Sequence, residues 1–185
     1  MEIRELETPC YIIRREIFQE NMRNFREAFE SRWKGRVLFG YSVKTNNFPC
    51  LLREAMAQGF YAEVVSPDEW EFALRCGCDP EHMIYNGPQK RETVLNACRA
   101  GSIVNLDNLD EVELVCRTFE NADFKPPAGI RVNFDLEALC PGETTCEGIP
   151  GRFGISLENG DFAIALKKLK KSGIPLAGLH LHQSS

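Results

Sequence analysis

Val37-Leu38-Phe39-Gly40-Tyr41-Ser42-Val43-Lys44-Thr45-Asn46 decides how the chain is read, because an apolar run ends in small and polar residues that carry one amine among them. The apolar part reads as a parallel β-strand, from Arg36 to Tyr41, and Lys44 stands at its C-terminal mouth. That is where α/β folds keep their chemistry. A lysine held there and desolvated attacks a carbonyl, so the first chemistry it suggests is a Schiff base, and with it pyridoxal phosphate. Taken alone, a lysine after a strand is more often a solvated surface group, and the rest of the chain has to decide.

Working outward, short apolar runs alternate with amphipathic segments every few tens of residues, the pattern of repeated βα units. Further strands are expected at Phe60 to Val65, Met83 to Tyr85, Ser102 to Asn105, Gly129 to Asn133 and Leu176 to His182. Helices are expected at Pro49 to Ala57, at Pro67 to Arg75 with Ser66 as N-cap, at Asn108 to Phe119 with Asn108 as cap, and at Asp161 to Lys171 before Gly173 and Pro175. A strand-like Cys10 to Ile13 and a helix from about Arg15 to Phe29 precede the repeat. Asn133 to Arg152 is the longest irregular stretch. One domain is expected. All-parallel repetition allows an open doubly wound sheet or a closed barrel. No G-x-G-x-x-G follows the first strand, which favours the barrel, although about six units are visible where eight are required.

Composition narrows the classes. The 185 residues carry 27 Asp+Glu against 22 Lys+Arg, a net charge of −5, with the basic residues dispersed, which disfavours nucleic-acid binding. No apolar stretch approaches the roughly 20 residues of a membrane span, and Met1-Glu2-Ile3-Arg4-Glu5 does not read as a signal peptide, so a cytoplasmic protein is expected. The eight cysteines are expected as reduced thiols, several of them in the core. No pair has the two-residue spacing that favours zinc, and no metal site is expected.

Six motifs, in one order along nearly the whole chain, resemble the N-terminal half of the fold-type III pyridoxal-phosphate decarboxylases. This group contains diaminopimelate and ornithine decarboxylases and, more distantly, alanine racemase. Tyr41-Ser42-Val43-Lys44-Thr45-Asn46 resembles their Y-A-V-K-A-N, and Glu63-Val64-Val65-Ser66 their D-V-V-S. Asn105-Leu106-Asp107-Asn108-Leu109 is similar to N-V-D-S-L, Arg131-Val132-Asn133 to R-V-N, and Gly151-Arg152-Phe153-Gly154-Ile155 to S-K/R-F-G-I. Leu179-His180-Leu181-His182-Gln183-Ser184-Ser185 resembles L-H-x-H-x-G-S. Three positions depart from the pattern: Glu63 stands for Asp, Arg152 for the Lys of many decarboxylases, and Ser184 for Gly.

The resemblance implies an α/β fold, a (β/α)8 TIM barrel of the alanine racemase-like type. Residues 1–185 would form a partial pyridoxal-phosphate-binding barrel, a truncated form without the C-terminal β-domain. It implies pyridoxal 5'-phosphate as cofactor, Lys44 as the Schiff-base lysine and proton carrier, and His182 over one face of the ring. It further implies Glu63 near the ring, Arg152 at the phenolic oxygen or paired with an acid of the loop before it, and Ser185 on the phosphate. His180 is expected on the opposite face of its strand in a structural role, and Arg131 in a buried salt bridge. Around Gly142-Glu143-Thr144 the long loop either covers the site or is solvated. The implied activity is that of a carboxy-lyase on a small-molecule amino-acid substrate, diaminopimelate before ornithine, in an enzyme that is a homodimer at full length, with the present chain inactive by itself. An amino-acid racemase of the same fold and a non-catalytic pyridoxal-phosphate-binding protein are the alternatives.

Overall fold

In a computed structural model that describes residues 6–142 and 151–182, the chain forms a seven-stranded parallel sheet with helices packed on one side. After α1 (Arg15–Glu30) come β1 (Gly40–Ser42), α2 (Pro49–Ala57), β2 (Tyr61–Val64), α3 (Pro67–Arg75), β3 (Met83–Tyr85), α4 (Thr93–Arg99), β4 (Ile103–Leu106) and α5 (Leu109–Phe119). They are followed by β5 (Ala128–Asn133), α6 (Leu136–Leu139), β6 (Ile155–Ser156), α7 (Asp161–Lys171) and β7 (Leu176–Leu181). The strands β1 to β5 pair in sequence order, β7 pairs along β5, and the two-residue β6 pairs with the end of β5. Six strands thus follow the barrel order, with β1 and β7 as its free edges among the described residues. This is the partial barrel that the repeat implies.

Alternation along each strand separates core from site. Ala62 and Val64, Met83 and Tyr85, Val104 and Leu106, and Ala128 and Ile130 are buried in one cluster with Leu52, Ala73, Val94, Val112 and Leu169 of the helices. A second, smaller cluster of Met22, Phe39, Ala55 and Phe60 lies under α1. The guanidinium of Arg26 stands 5.7 and 5.4 Å from the Phe39 and Phe60 ring centres and closes it.

One capping device recurs at α3 and α5. Ser66 Oγ accepts from the Glu69 N–H at 3.2 Å, while the Glu69 carboxylate accepts from the Val65 N–H at 2.8 Å. Asn108 Oδ1 likewise accepts from the Glu111 N–H at 2.9 Å, and Glu111 from the Asp107 N–H at 3.0 Å. Each glutamate reaches back past the cap to the end of the preceding strand, so strand end and helix start are held as one unit.

The structure departs from the sequence reading in four places. Cys10 to Ile13 pairs with no strand among the described residues, and Tyr11 is fully exposed. The first strand begins at Gly40 rather than Arg36, although the Tyr61 N–H still reaches Phe39 O at 2.7 Å. The irregular stretch after Asn133 contains the short α6, and a two-residue strand, β6, forms where the Gly151-to-Ile155 motif reads as a turn. No helix among the described residues is long and apolar enough to cross a membrane.

Candidate functional site

The strand face turned away from the helices is polar at its C-terminal end. In the sheet register Ser42 lies beside Glu63, Asn105 beside Gly129 and Arg131 beside His180. Hydrogen bonds join the first of these into a ladder. Ser42 Oγ donates to Glu63 Oε2 at 2.7 Å, Asn86 Nδ2 donates to Glu63 Oε1 at 2.9 Å, and Asn105 Nδ2 donates to Asn86 Oδ1 at 2.8 Å. At the far end Gly129 makes room, since a Cβ there would lie 2.0 Å from Asn105 Oδ1. Any side chain at 129 would push the ladder aside.

A second network of four buried charges lies beside it. Lys90, fully buried, donates from Nζ to Glu111 Oε2 at 2.8 Å, and its own N–H reaches Glu111 Oε1 at 3.1 Å. Asp107 Oδ1 pairs with Arg131 Nη1 at 3.1 Å, and Asp107 Oδ2 accepts from the Gly154 N–H at 3.0 Å. Arg131 Nη2 donates to the His182 carbonyl at 3.2 Å. The set is two oppositely charged pairs, Lys90 with Glu111 and Arg131 with Asp107, joined where the Asp107 N–H reaches Glu111, so each of the four ions has a counter-ion out of water. Burial pushes the Lys90 ammonium down, against the opposing pull of Glu111.

Lys44 stands at the end of β1, exposed rather than desolvated, and its amine engages no hydrogen bond or ion pair among the described residues. The turn that carries it is fixed by the bonds Val43 N–H to Glu63 O at 2.9 Å and Thr45 N–H to Ser42 O at 3.2 Å. Glu63 is on the same rim, with both oxygens taken by donors. Arg152 is exposed and lies 5.6 Å from the Phe153 ring centre, whose other cation is Arg131 at 5.0 Å, and no acid pairs with it among the described residues. His182 is exposed at the end of β7. Ser185 lies outside the described residues, as do Cys146 and residues 143–150 of the long loop.

His180 corrects the expectation made for it. The rings of His180 and His182 are 6.2 Å apart, edge to face, because residues two apart on a strand share a face. Burial, followed by the neighbouring charge of Arg131, pushes the His180 imidazole below its ordinary range. Arg131 does form the buried salt bridge, with Asp107. The motifs do not single out four further residues of the rim as site residues: Asn86, Lys90, Asp107 and Glu111. The recurrence of Glu three residues after each cap is the one signal for Glu111. Cys76, Cys78, Cys98 and Cys116 are buried, with burial raising the Cys78 and Cys98 thiols to about 12.

An aromatic aldehyde with polar substituents, the kind of cofactor the motifs imply, fits this rim. Lys44 offers an amine, and two buried polar atoms, Arg131 Nε and His180 Nδ1, have no partner among the described residues and lie on adjacent strands.

Comparison with known proteins identifies the family. A profile of the pyridoxal-binding domain of pyridoxal-dependent decarboxylases matches residues 15–185. A probable chloroplastic diaminopimelate decarboxylase of Oryza sativa subsp. japonica is 30% identical over 179 residues, covering 96% of this chain and 36% of its own length. The diaminopimelate decarboxylase of Archaeoglobus fulgidus is 28% identical, with 99% and 42% covered. Among solved structures, diaminopimelate decarboxylase from M. jannaschii in complex with L-lysine superposes with a TM-score of 0.83 at 23% identity, over 98% of this chain and 43% of that one. A chlorella virus arginine decarboxylase superposes at 0.68 with 22% identity, over 92% and 42%. The chain spans well under half the length of these relatives.

Proposed function

Because this chain belongs to the pyridoxal-dependent decarboxylases through their pyridoxal-binding domain, we propose that it supplies the Lys44 side of a pyridoxal-phosphate site for amino-acid decarboxylation. The observation that carries the reading is the exposed Lys44 amine, unpartnered among the described residues, on one rim with Glu63, Arg131, His180 and His182. When bound, the cofactor's ring accepts the electron pair released as carbon dioxide leaves the substrate. The protein's part is binding, orientation and proton movement.

Lys44 would hold the cofactor through its amine and would move a proton at its Nζ. Glu63, fixed by Ser42 and Asn86, would present a carboxylate at a constant place near the ring. His182, whose strand end is held by Arg131, would cover a face of the ring. Arg152 would serve the cofactor's phenolic oxygen, and Ser185 its phosphate. The substrate is diaminopimelate, supported by the names of the relatives, and the full-length enzyme acts in the cytoplasm as a homodimer. Turnover is assigned to the relatives' full length. The 185 residues alone are expected to attach cofactor without appreciable decarboxylation.

The test is an absorbance spectrum with added pyridoxal phosphate, followed by borohydride reduction and peptide mapping. A reduced adduct on Lys44, absent from Lys44→Ala, is the expected outcome. Adducts spread over surface lysines and unchanged in Lys44→Ala would sink the reading. In the longer protein, carbon dioxide release from diaminopimelate but not from ornithine supports the substrate, and the reverse overturns it.

A further inference from the structure

The rim carries a polar residue that the motifs leave unassigned. Asn86 is buried and stands between Glu63 and Asn105, using its amide nitrogen toward one and its oxygen toward the other. Only a side chain that donates and accepts at once serves both neighbours. Direction matters: the donors run from Asn105 to Asn86 to Glu63, and Ser42 donates to Glu63 from the other side. The Ser42 carbonyl in turn accepts from the Thr45 N–H, and the Glu63 carbonyl accepts from the Val43 N–H, so the same two residues fix the turn that bears Lys44. Both ends of the ladder are set: Gly129 leaves the space that Asn105 occupies, and the turn after β1 closes the other end.

We propose that Asn86 is a positioning residue: through the ladder Asn105–Asn86–Glu63–Ser42 it holds the Glu63 carboxylate and the Lys44 turn in one fixed relation. The ladder spans four adjacent strands, so a fault in its middle is felt at β1. Its bearing on catalysis rests on the function proposed above; its bearing on the Lys44 turn does not.

The direction of the donors supplies a test that ordinary damage to the fold does not pass. Asn86→Asp places two carboxylates together and removes the donor to Glu63. Glu63→Gln combined with Asn86→Asp moves the charge by one strand and restores every bond. The new amide at position 63 and the Asn105 amide both donate to the new carboxylate at position 86, and Ser42 still donates to the amide oxygen at position 63. Amide hydrogen exchange at Val43 and Thr45 is measured first, without cofactor. Asn86→Asp is expected to raise exchange at both about tenfold, as befits the loss of one buried hydrogen bond, with the double variant returning to within a few-fold of the parent. Borohydride-trapped adduct on Lys44 is measured next in the parent and in Asn86→Asp, where Glu63 itself is unchanged, with less adduct expected in the variant. Unchanged exchange in Asn86→Asp, or no recovery in the double variant, overturns the proposal. If exchange follows the expected order while the parent forms no Lys44 adduct, the ladder stands and the pyridoxal-phosphate reading falls.

Discussion

Lys90 and Glu111 show how far a single residue's setting can depart from its sequence neighbourhood. Lys90 lies between Gln89 and Arg91, as polar a context as the chain offers, yet it is fully buried because Glu111, 21 positions later, waits for it at the start of α5. Breaking a buried pair leaves one ion uncompensated. Lys90→Met should lower the free energy of unfolding by about 3 kcal/mol, measured with chemical denaturant, and adding Glu111→Gln should recover part of it. His180 makes a second prediction at this scale. Its imidazole is held below the ordinary value of 6.5, so on acidification the unfolded chain takes up this proton before the folded one. Stability therefore falls as pH drops from about 7 through 6.5 and toward the depressed folded value. Glu54, Glu113 and Glu158 have carboxyls held below 4.5 and lose their stabilising effect only in a lower window. Thermal melting of His180→Asn against the parent should show a flatter slope between about pH 5 and 7; an equal slope would remove His180 as the cause.

Turns and caps decide whether the strand-to-helix joints hold. Gly87 has φ +90°, and a Cβ there would lie 2.1 Å from the Val65 carbonyl oxygen, so Gly87→Ala should cost at least about 2 kcal/mol. Ser66→Ala removes only a cap and should cost about 1 kcal/mol, read in the same denaturation experiment. These joints also mark what the sequence discloses. The caps Ser66 and Asn108, Pro67 at the first turn of α3 and most helix spans are legible, because capping and helical periodicity are local. Lys44 and Glu63 are legible through their motifs and their places at strand ends. Asn86 is not: β3 has three residues, too few for alternation to tell which side the next residue faces. Asp107 and Arg131 stand 24 positions apart, and their pairing depends on the register of β4 with β5, which no local pattern encodes. His180 is the opposite case, since the two-residue period of β7 already puts it on the face of His182, against the expectation stated for it.

At the scale of the molecule, the outer side of the last strand is bare. Leu179 and Leu181 are 56% and 63% exposed, and at the other edge Phe25, Phe29 and Leu38 are also exposed. Free strand edges flanked by apolar surface favour pairing with other chains. The 185-residue polypeptide should self-associate as concentration rises in sedimentation measurements, and Leu179→Lys with Leu181→Lys should reduce this. The order of the strands has a different consequence, in time rather than space. From β1 to β5 each strand bonds to the one synthesised just before it, about 20 to 25 residues earlier, so every loop closed is of similar, modest size. Up to β5, a chain leaving the ribosome thus offers its newest strand a waiting neighbour, and the sheet can grow in the direction of translation; only the edge of β5 is held in reserve, for β7.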